Sequence, residues 1–80
     1  MTLNELHINL GRIVREALTD HSRSRRELAE RLGISESTMA RRLSGERGFN
    51  MVEVMVTAAW LGEPAGDWMK RAGMDELAAA

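Results

Sequence analysis

The sequence contains no cysteine and no tyrosine, a single proline, and only three aromatic side chains among its 80 residues. Without cysteine the chain offers no disulfide, no thiolate nucleophile and no cysteine ligand for zinc, and an intracellular location is expected. No apolar run approaches the roughly 20 residues that span a bilayer, and the first residues, MTLNELHINLGR, are periodic rather than signal-like. His7 and His21 lack the spacing of metal ligands, so we expect no metal site, no cofactor and no catalysis.

Net charge is also small, at −1, but the charges are unevenly distributed. Residues 23–47 hold seven arginines and four glutamates, a local +3, whereas the remainder holds four basic and eight acidic residues, a local −4. A basic segment on an acidic frame is typical of a surface that faces a polyanion. A solvated charged face explains the charge pattern equally well.

Capping patterns and apolar periodicity predict an all-α protein. The pattern Ser/Thr/Asn-x-x-Glu, typical of a helix start, begins at Thr2, Ser24 and Asn50, and Ser35 caps one more helix. Residues 51–56, MVEVMV, could compete as a strand, but they follow a cap and continue into TAAWLG, so a helix is favoured. Five helices are predicted: from Thr2 to the DHSR loop, about 24–33, about 36–43, 50–62, and a short one around GDWMKR.

A chain of this length allows one small domain. We predict that residues 1–72 form this domain and that residues 73–80, which end in MDELAAA, are a tail of either frayed helix or disordered chain.

The junction between the second and third helices is the most informative feature. Ala29 is small enough for a partner helix to approach its backbone, and Gly33 can adopt the positive φ that a sharp turn requires. Ile34 and Met39 supply apolar contacts from the other side of the turn. Two short helices joined in this way predict a helix-turn-helix, whose second helix fits the major groove of DNA.

The segment ELAERLGISESTMARRLSG resembles the helix-turn-helix of the phage repressor and Cro family, the XRE-like regulators. The resemblance continues through FNMVEVMVTAAWLGEPAGDW and covers about residues 3–70. It implies a compact five-helix, lambda-repressor-like DNA-binding domain with its helix-turn-helix at about residues 24–44. The chain departs from the family pattern at Arg42, where the family often carries an apolar residue.

A helical projection separates the roles of the two adjacent arginines in the third helix. At about 100° per residue, Met39 and Leu43 share the core direction, and Arg41 points away from it. Arg42 lies on the flank together with Thr38, and Leu43 supplies the second apolar anchor. On a recognition helix in the major groove, arginines opposite the core meet base edges, whereas arginines on the flank meet phosphates.

Three residues are predicted to contact bases: Glu36, Ser37 and Arg41. A guanidinium can bond guanine O6 and N7 together, which favours Arg41. Ser37 could instead be a solvent-facing serine. Glu36 could accept from cytosine N4, as the resemblance implies, or simply favour the positive end of the helix dipole.

A second set is predicted to contact phosphates. Arg25, at the start of the second helix, resembles a family position that clamps phosphate beside backbone N–H groups. A solvated charge is the alternative for each arginine of the set, and Arg31 is expected to pair with Glu27 rather than to contact DNA. The set comprises Ser24, Arg25, Arg26, Thr38, Arg42, Ser44 and Arg47, with Arg23 as an additional candidate.

The C-terminal third is rich in methionine and contains both tryptophans, Trp60 and Trp68. These side chains either complete the core or leave an apolar patch exposed, and such a patch often marks an interface. Because helix-turn-helix repressors usually bind palindromic sites as two-fold dimers, a homodimer through the C-terminal region is expected.

The resemblance implies a sequence-specific double-stranded DNA-binding transcriptional regulator of phage or prophage type, which occupies an operator in the cytoplasm of a bacterial host cell. No enzymatic activity, membrane contact or small-molecule ligand is expected. Two alternatives on the same fold remain open: an antitoxin-like module that binds a protein through its apolar C-terminal surface, and an architectural factor for recombination that bends DNA.

Overall fold

The computed structural model describes residues 1–79, and these residues form α-helices and no strand. The all-α prediction is confirmed, but the described residues contain six helices where the sequence predicted five. The additional helix lies in the segment predicted as a tail, where Leu77 packs against the core; Ala80 lies outside the described residues. In chain order the helices are α1 Leu3–Asp20, α2 Arg25–Leu32, α3 Glu36–Ser44, α4 Met51–Leu61, α5 Ala65–Ala72 and α6 Met74–Ala79.

The helix starts are fixed locally, as predicted. In α1, α2 and α4 a side chain before the helix accepts the N–H of a glutamate three residues later, and that carboxylate accepts the cap residue's own N–H. Ser35 caps α3 by accepting from the Thr38 N–H. Gly33 ends α2 with φ at 69°, which gives the sharp turn into α3. The complete capping boxes are Thr2 with Glu5, Ser24 with Glu27 and Asn50 with Glu53.

The core is organised by α1, which packs against both α3 and α5. Its apolar stripe is buried from Leu6 to Leu18, whereas Leu3 is exposed because it lies in the first turn, outside the packed stripe. Met39 from α3 and Trp68 from α5 are fully buried against this stripe. These contacts make α1 the scaffold on which α3 is placed.

The approach of α3 to α1 is unusually close at Gly11. A Cβ atom at this position would overlap the carbonyl group of Leu43, at the C-terminal end of α3. Arg15, one turn further along α1, donates a hydrogen bond to that same carbonyl, which is one of the groups that a helix end leaves without a partner. Gly11 and Arg15 together hold the C-terminal end of α3 against α1.

Glu63 connects the end of α1 with α5. Its carboxylate accepts a 2.9 Å hydrogen bond from the indole N–H of the buried Trp68 and lies 2.5 Å from Nε2 of His21. The hydrogen bond from Trp68, and then the one with His21, lower the pKa of Glu63 below its ordinary value of 4.5.

Replacement of Gly11 by alanine should lower stability, although alanine is the better helix former by about 1 kcal/mol. The added methyl group displaces the backbone of α3, and overpacking of this kind costs about 1–3 kcal/mol. Gly66→Ala is the matched control, because nothing lies near the added methyl group in α5. Urea unfolding should show a loss for Gly11→Ala and a gain or no change for Gly66→Ala. Equal effects would contradict the close α1–α3 contact.

The stability supplied by Glu63 should depend on pH. Because its folded-state pKa is lowered, ionised Glu63 stabilises the fold above the ordinary value of 4.5, and this contribution is lost as pH falls through the lowered pKa. Glu63→Gln keeps an oxygen for the Trp68 indole but carries no charge. The variant should therefore be less stable than the parent near pH 6, and the difference should shrink as the pH falls through the lowered pKa. A difference that does not change with pH in urea unfolding would contradict this role.

Candidate functional site

The candidate site is built on α2, α3 and the turn between them. Ala29 is buried where α2 packs against α3, and its carbonyl accepts the N–H of Ile34 at 3.1 Å. Met39 is fully buried, and Ile34 packs half-buried against the same core. The apolar contacts predicted to hold this junction are therefore present.

The predicted orientation of α3 is confirmed. Met39 and Leu43 are buried, and Ser37 and Arg41 are exposed on the face that the projection places opposite them. Glu36 is exposed in the first turn of the helix. All three residues predicted to contact bases are thus accessible to a partner along one short helix.

Arg42 lies on the flank, as the projection predicts, but its guanidinium group is already engaged. Its Nε donates to Oε1 of Glu53 at 2.9 Å, and a terminal nitrogen lies 3.4 Å from Oε2. The two side chains are only 17% and 12% exposed. Oε1 of Glu53 also accepts the Asn50 N–H in the capping box of α4. Arg42 therefore ties α3 to the first turn of α4.

The exposed ends of α1 and α2 form a basic groove that sequence reasoning identified only in part. A cavity of about 200 Å³ is lined by Arg15, Arg23 and Arg25, together with Thr19 and apolar parts of Leu18 and Leu43. Arg25 was predicted as a phosphate ligand, but Arg15 was not singled out. No local pattern identifies Arg15, because its place in the groove depends on the packing of α1 against α3.

Three other predicted phosphate ligands, Ser24, Thr38 and Ser44, already make hydrogen bonds within the protein. The Ser24 hydroxyl caps α2, and the Thr38 hydroxyl accepts from Ser35. The Ser44 hydroxyl donates to the Arg41 carbonyl and accepts from the Glu46 N–H. These three side chains shape the backbone at the ends of α2 and α3.

The remaining predicted arginines differ in whether they lie in an ion pair. Arg26 lies 3.8 Å from Glu30, with both side chains mostly exposed. Such an exposed pair contributes little to stability and leaves both groups accessible to a partner. Within residues 1–79, Arg25, Arg41 and Arg47 are in no ion pair with a carboxylate, and all three are exposed.

The predicted pairing of Arg31 with Glu27 is wrong. Glu27 pairs instead with Arg23 at 3.0 Å. Its pKa is lowered by the Ser24 backbone N–H first and by Arg23 second. Arg31 lies over the ring of the half-buried Trp60, with its guanidinium carbon 5.4 Å from the ring centre, and Arg23 approaches the same ring at 5.1 Å. The ring of a residue in another helix takes the place of the predicted i,i+4 partner.

No group of three or more potential metal ligands occurs among residues 1–79. None of the helices in this range is both long enough and apolar enough to cross a membrane. His7 is half-buried with an unpaired Nδ1, and His21 is bound to Glu63.

Comparisons with protein-family models, with curated proteins and with solved structures find no match for this chain. Function is therefore inferred from the side chains and their arrangement.

The two adjacent arginines should differ sharply in their effect on stability. Arg42→Ala leaves the nearly buried Glu53 carboxylate without its partner, and loss of such a partner costs about 1–3 kcal/mol. Arg41→Ala, the neighbouring control, removes an exposed side chain and should change the free energy of unfolding by less than about 0.5 kcal/mol.

A double variant, Arg42→Met with Glu53→Gln, should recover much of the loss because no unpaired charge remains. Urea unfolding of the parent and the three variants measures these effects. Equal losses for Arg41→Ala and Arg42→Ala would contradict the structural role of Arg42.

Proposed function

We propose that this protein is a sequence-specific double-stranded DNA-binding transcriptional regulator that occupies an operator, with α2 and α3 acting as a helix-turn-helix. One observation carries the proposal. Buried Met39 and Leu43 anchor α3, while Ser37 and Arg41 lie exposed on its opposite face. A short helix held in this way can enter the major groove without rearrangement of the core.

In this proposal Arg41 reads a guanine through O6 and N7. Its guanidinium has no carboxylate partner within residues 1–79, so all of its donors are available. Ser37, one turn earlier, reaches the neighbouring base or sugar, and Glu36 accepts from a cytosine N4. Sequence preference resides in these three side chains.

Backbone contacts come from both sides of α3. Arg25 and Arg15 line the basic groove at the start of α2, where the N–H groups of the first turn also favour an anion. Arg47 lies beyond the end of α3, where its own N–H is held by the Arg41 carbonyl at 3.2 Å. These arginines set the register of the protein on DNA and make its affinity depend on salt.

Arg42 takes a different role in this proposal from the one expected of a flanking arginine. Its guanidinium is bound to Glu53, so a phosphate would compete with a carboxylate already in place. We assign Arg42 to the positioning of α3 relative to α4. DNA contact on that flank then falls to Thr38, Ser44 and Arg47.

A second candidate function, a module that binds another protein, is favoured by one observation. An apolar cleft of about 320 Å³ lies between the start of α1 and α6, lined by residues that include Leu3, Met51, Met69 and Leu77. An antitoxin-like protein would use such a cleft to hold a segment of its target. The two functions differ in the partner required. Operator binding needs only duplex DNA, whereas the antitoxin-like function needs a second protein.

The proposed function predicts distinct results for two exposed arginines. Arg41→Ala should relax preference at one base position, with a loss of discrimination of about 1–3 kcal/mol, or roughly 5- to 150-fold. Arg25→Ala should weaken all sequences alike and reduce the salt slope of binding by about one for each bound copy.

Selection of bound sites from random duplexes, followed by titration at several salt concentrations, measures both effects. Asn4→Ala, at an exposed position in the first turn of α1, is the control and should bind as the parent does. Failure of the parent to enrich any sequence, or an unchanged consensus with Arg41→Ala, would contradict the assigned reading face.

A further inference from the structure

The outward side of α4 carries apolar side chains where a surface helix ordinarily carries charge. Met51, Val52, Met55 and Val56 are 56%, 68%, 57% and 38% exposed, and Ala59 is exposed beside them. These five residues are here called the α4 outer face. The core is packed by the other side of α4, through Val54, Thr57, Ala58 and Leu61.

The two polar side chains of α4 both point away from this face. Glu53 is bound to Arg42, and Thr57 is fully buried and donates to the Glu53 carbonyl at 2.7 Å. The α4 outer face therefore carries no side-chain charge or hydrogen-bonding group. Charge is similarly depleted, and methionine enriched, at the centres of protein interfaces.

The α4 outer face has the steric pattern of a surface that fits its own copy. Met51 and Ala59 lie four residues on either side of Met55. When two copies of α4 pack antiparallel about a two-fold axis at Met55, Met51 of each copy lies opposite Ala59 of the other. Large side chains then meet small ones at both ends of the contact, which allows helix axes to approach to about 8–10 Å.

The surface beside this face carries charges of both signs. A groove next to Met51 and Met55 continues the apolar surface through Met69 and Met74, and Lys70 and Asp75 lie in the same groove. A polar rim of both signs can pair with its own symmetry copy. A standard interface buries about 800 Å² on each partner. The groove would add its area to that of the α4 outer face.

We propose that the α4 outer face is the interface of a homodimer, in which α4 packs antiparallel against α4 of a second copy about a two-fold axis at Met55. A second copy is favoured over an unrelated protein because the size pattern matches the surface to itself and the groove beside it carries one charge of each sign. It assigns the dimer expected through the C-terminal region to one helix, α4, and to a two-fold axis at Met55. It does not rest on DNA binding.

The axis at Met55 makes a charge-pairing experiment possible. At about 100 µM chain, sedimentation equilibrium should give the parent a mass of twice the 8.9 kDa monomer. Met55→Glu and Met55→Lys each place like charges opposite one another, which costs several kcal/mol, so association of each variant alone should weaken by at least about 100-fold. An equimolar mixture of the two variants should restore dimers, because position 55 then pairs opposite charges.

Ile8→Glu is the control, because Ile8 is also exposed, at 46%, but lies on α1 beside Gly45. It should dimerise as the parent does, and circular dichroism of all variants tests whether each remains folded. A monomeric parent, a folded Met55→Glu variant that still dimerises, or a mixture that stays monomeric would each overturn the proposal.

Failure of this proposal can be separated from failure of the proposed function, because association is measured without DNA. A monomeric parent that still selects a single, asymmetric base sequence would overturn the dimer alone. A dimeric parent that selects no sequence would leave the α4 interface standing and overturn the proposed function.

Discussion

The contact between α1 and the end of α3 is the constraint on which the rest of the site depends. Gly11 allows the backbone of α3 to approach α1, and Arg15 bonds the Leu43 carbonyl there. With that end fixed and Met39 buried, the rotation of α3 about its axis has little freedom. Exposure of Ser37 and Arg41 is then a consequence of helix geometry. The orientation of α3 that the proposed base contacts require therefore depends on Gly11, which is not itself proposed to contact a base.

A second restraint holds α3 from the other side and links the two proposals. The nearly buried pair of Arg42 and Glu53 joins α3 to the first turn of α4. The single charge of α4 is bound in this pair, on a side of the helix away from the α4 outer face. If two copies join through that face, the positions of their α3 helices are coupled through the same ion pair. One interaction thus joins α3 to the helix that carries the surface proposed for pairing.

Features encoded within a few residues were predictable from the sequence. The capping boxes at Thr2, Ser24 and Asn50 and the turn at Gly33 depend on neighbours in the chain. The outward orientation of Arg41 follows from periodicity once Met39 is taken as the anchor. This local signal was sufficient to predict the all-α class and the side of α3 that faces outward.

Features that depend on contacts between distant segments were not predictable. The partner of Arg42 lies in another helix, and nothing in the local pattern identifies Glu53. Arg31 was assigned an i,i+4 partner worth about 0.2–0.5 kcal/mol, but it contacts Trp60, whose ring is brought near only by the packing of α2 on α4. For residues 73–80 the sequence left frayed helix and disordered chain open, and the packing of Leu77 against the core is a contact that short-range propensity does not contain.

The central claim is that the exposed face of α3 and the start of α2 meet DNA. The most direct test is a titration of isotopically labelled protein with a short DNA duplex. The NMR resonances of the backbone amides and the arginine side chains are monitored during the titration. We expect the largest changes at Ser37, Arg41 and Arg25, weaker ones at higher salt, and little change along the buried side of α1. Resonance changes concentrated elsewhere, or none at any salt concentration, would contradict the account.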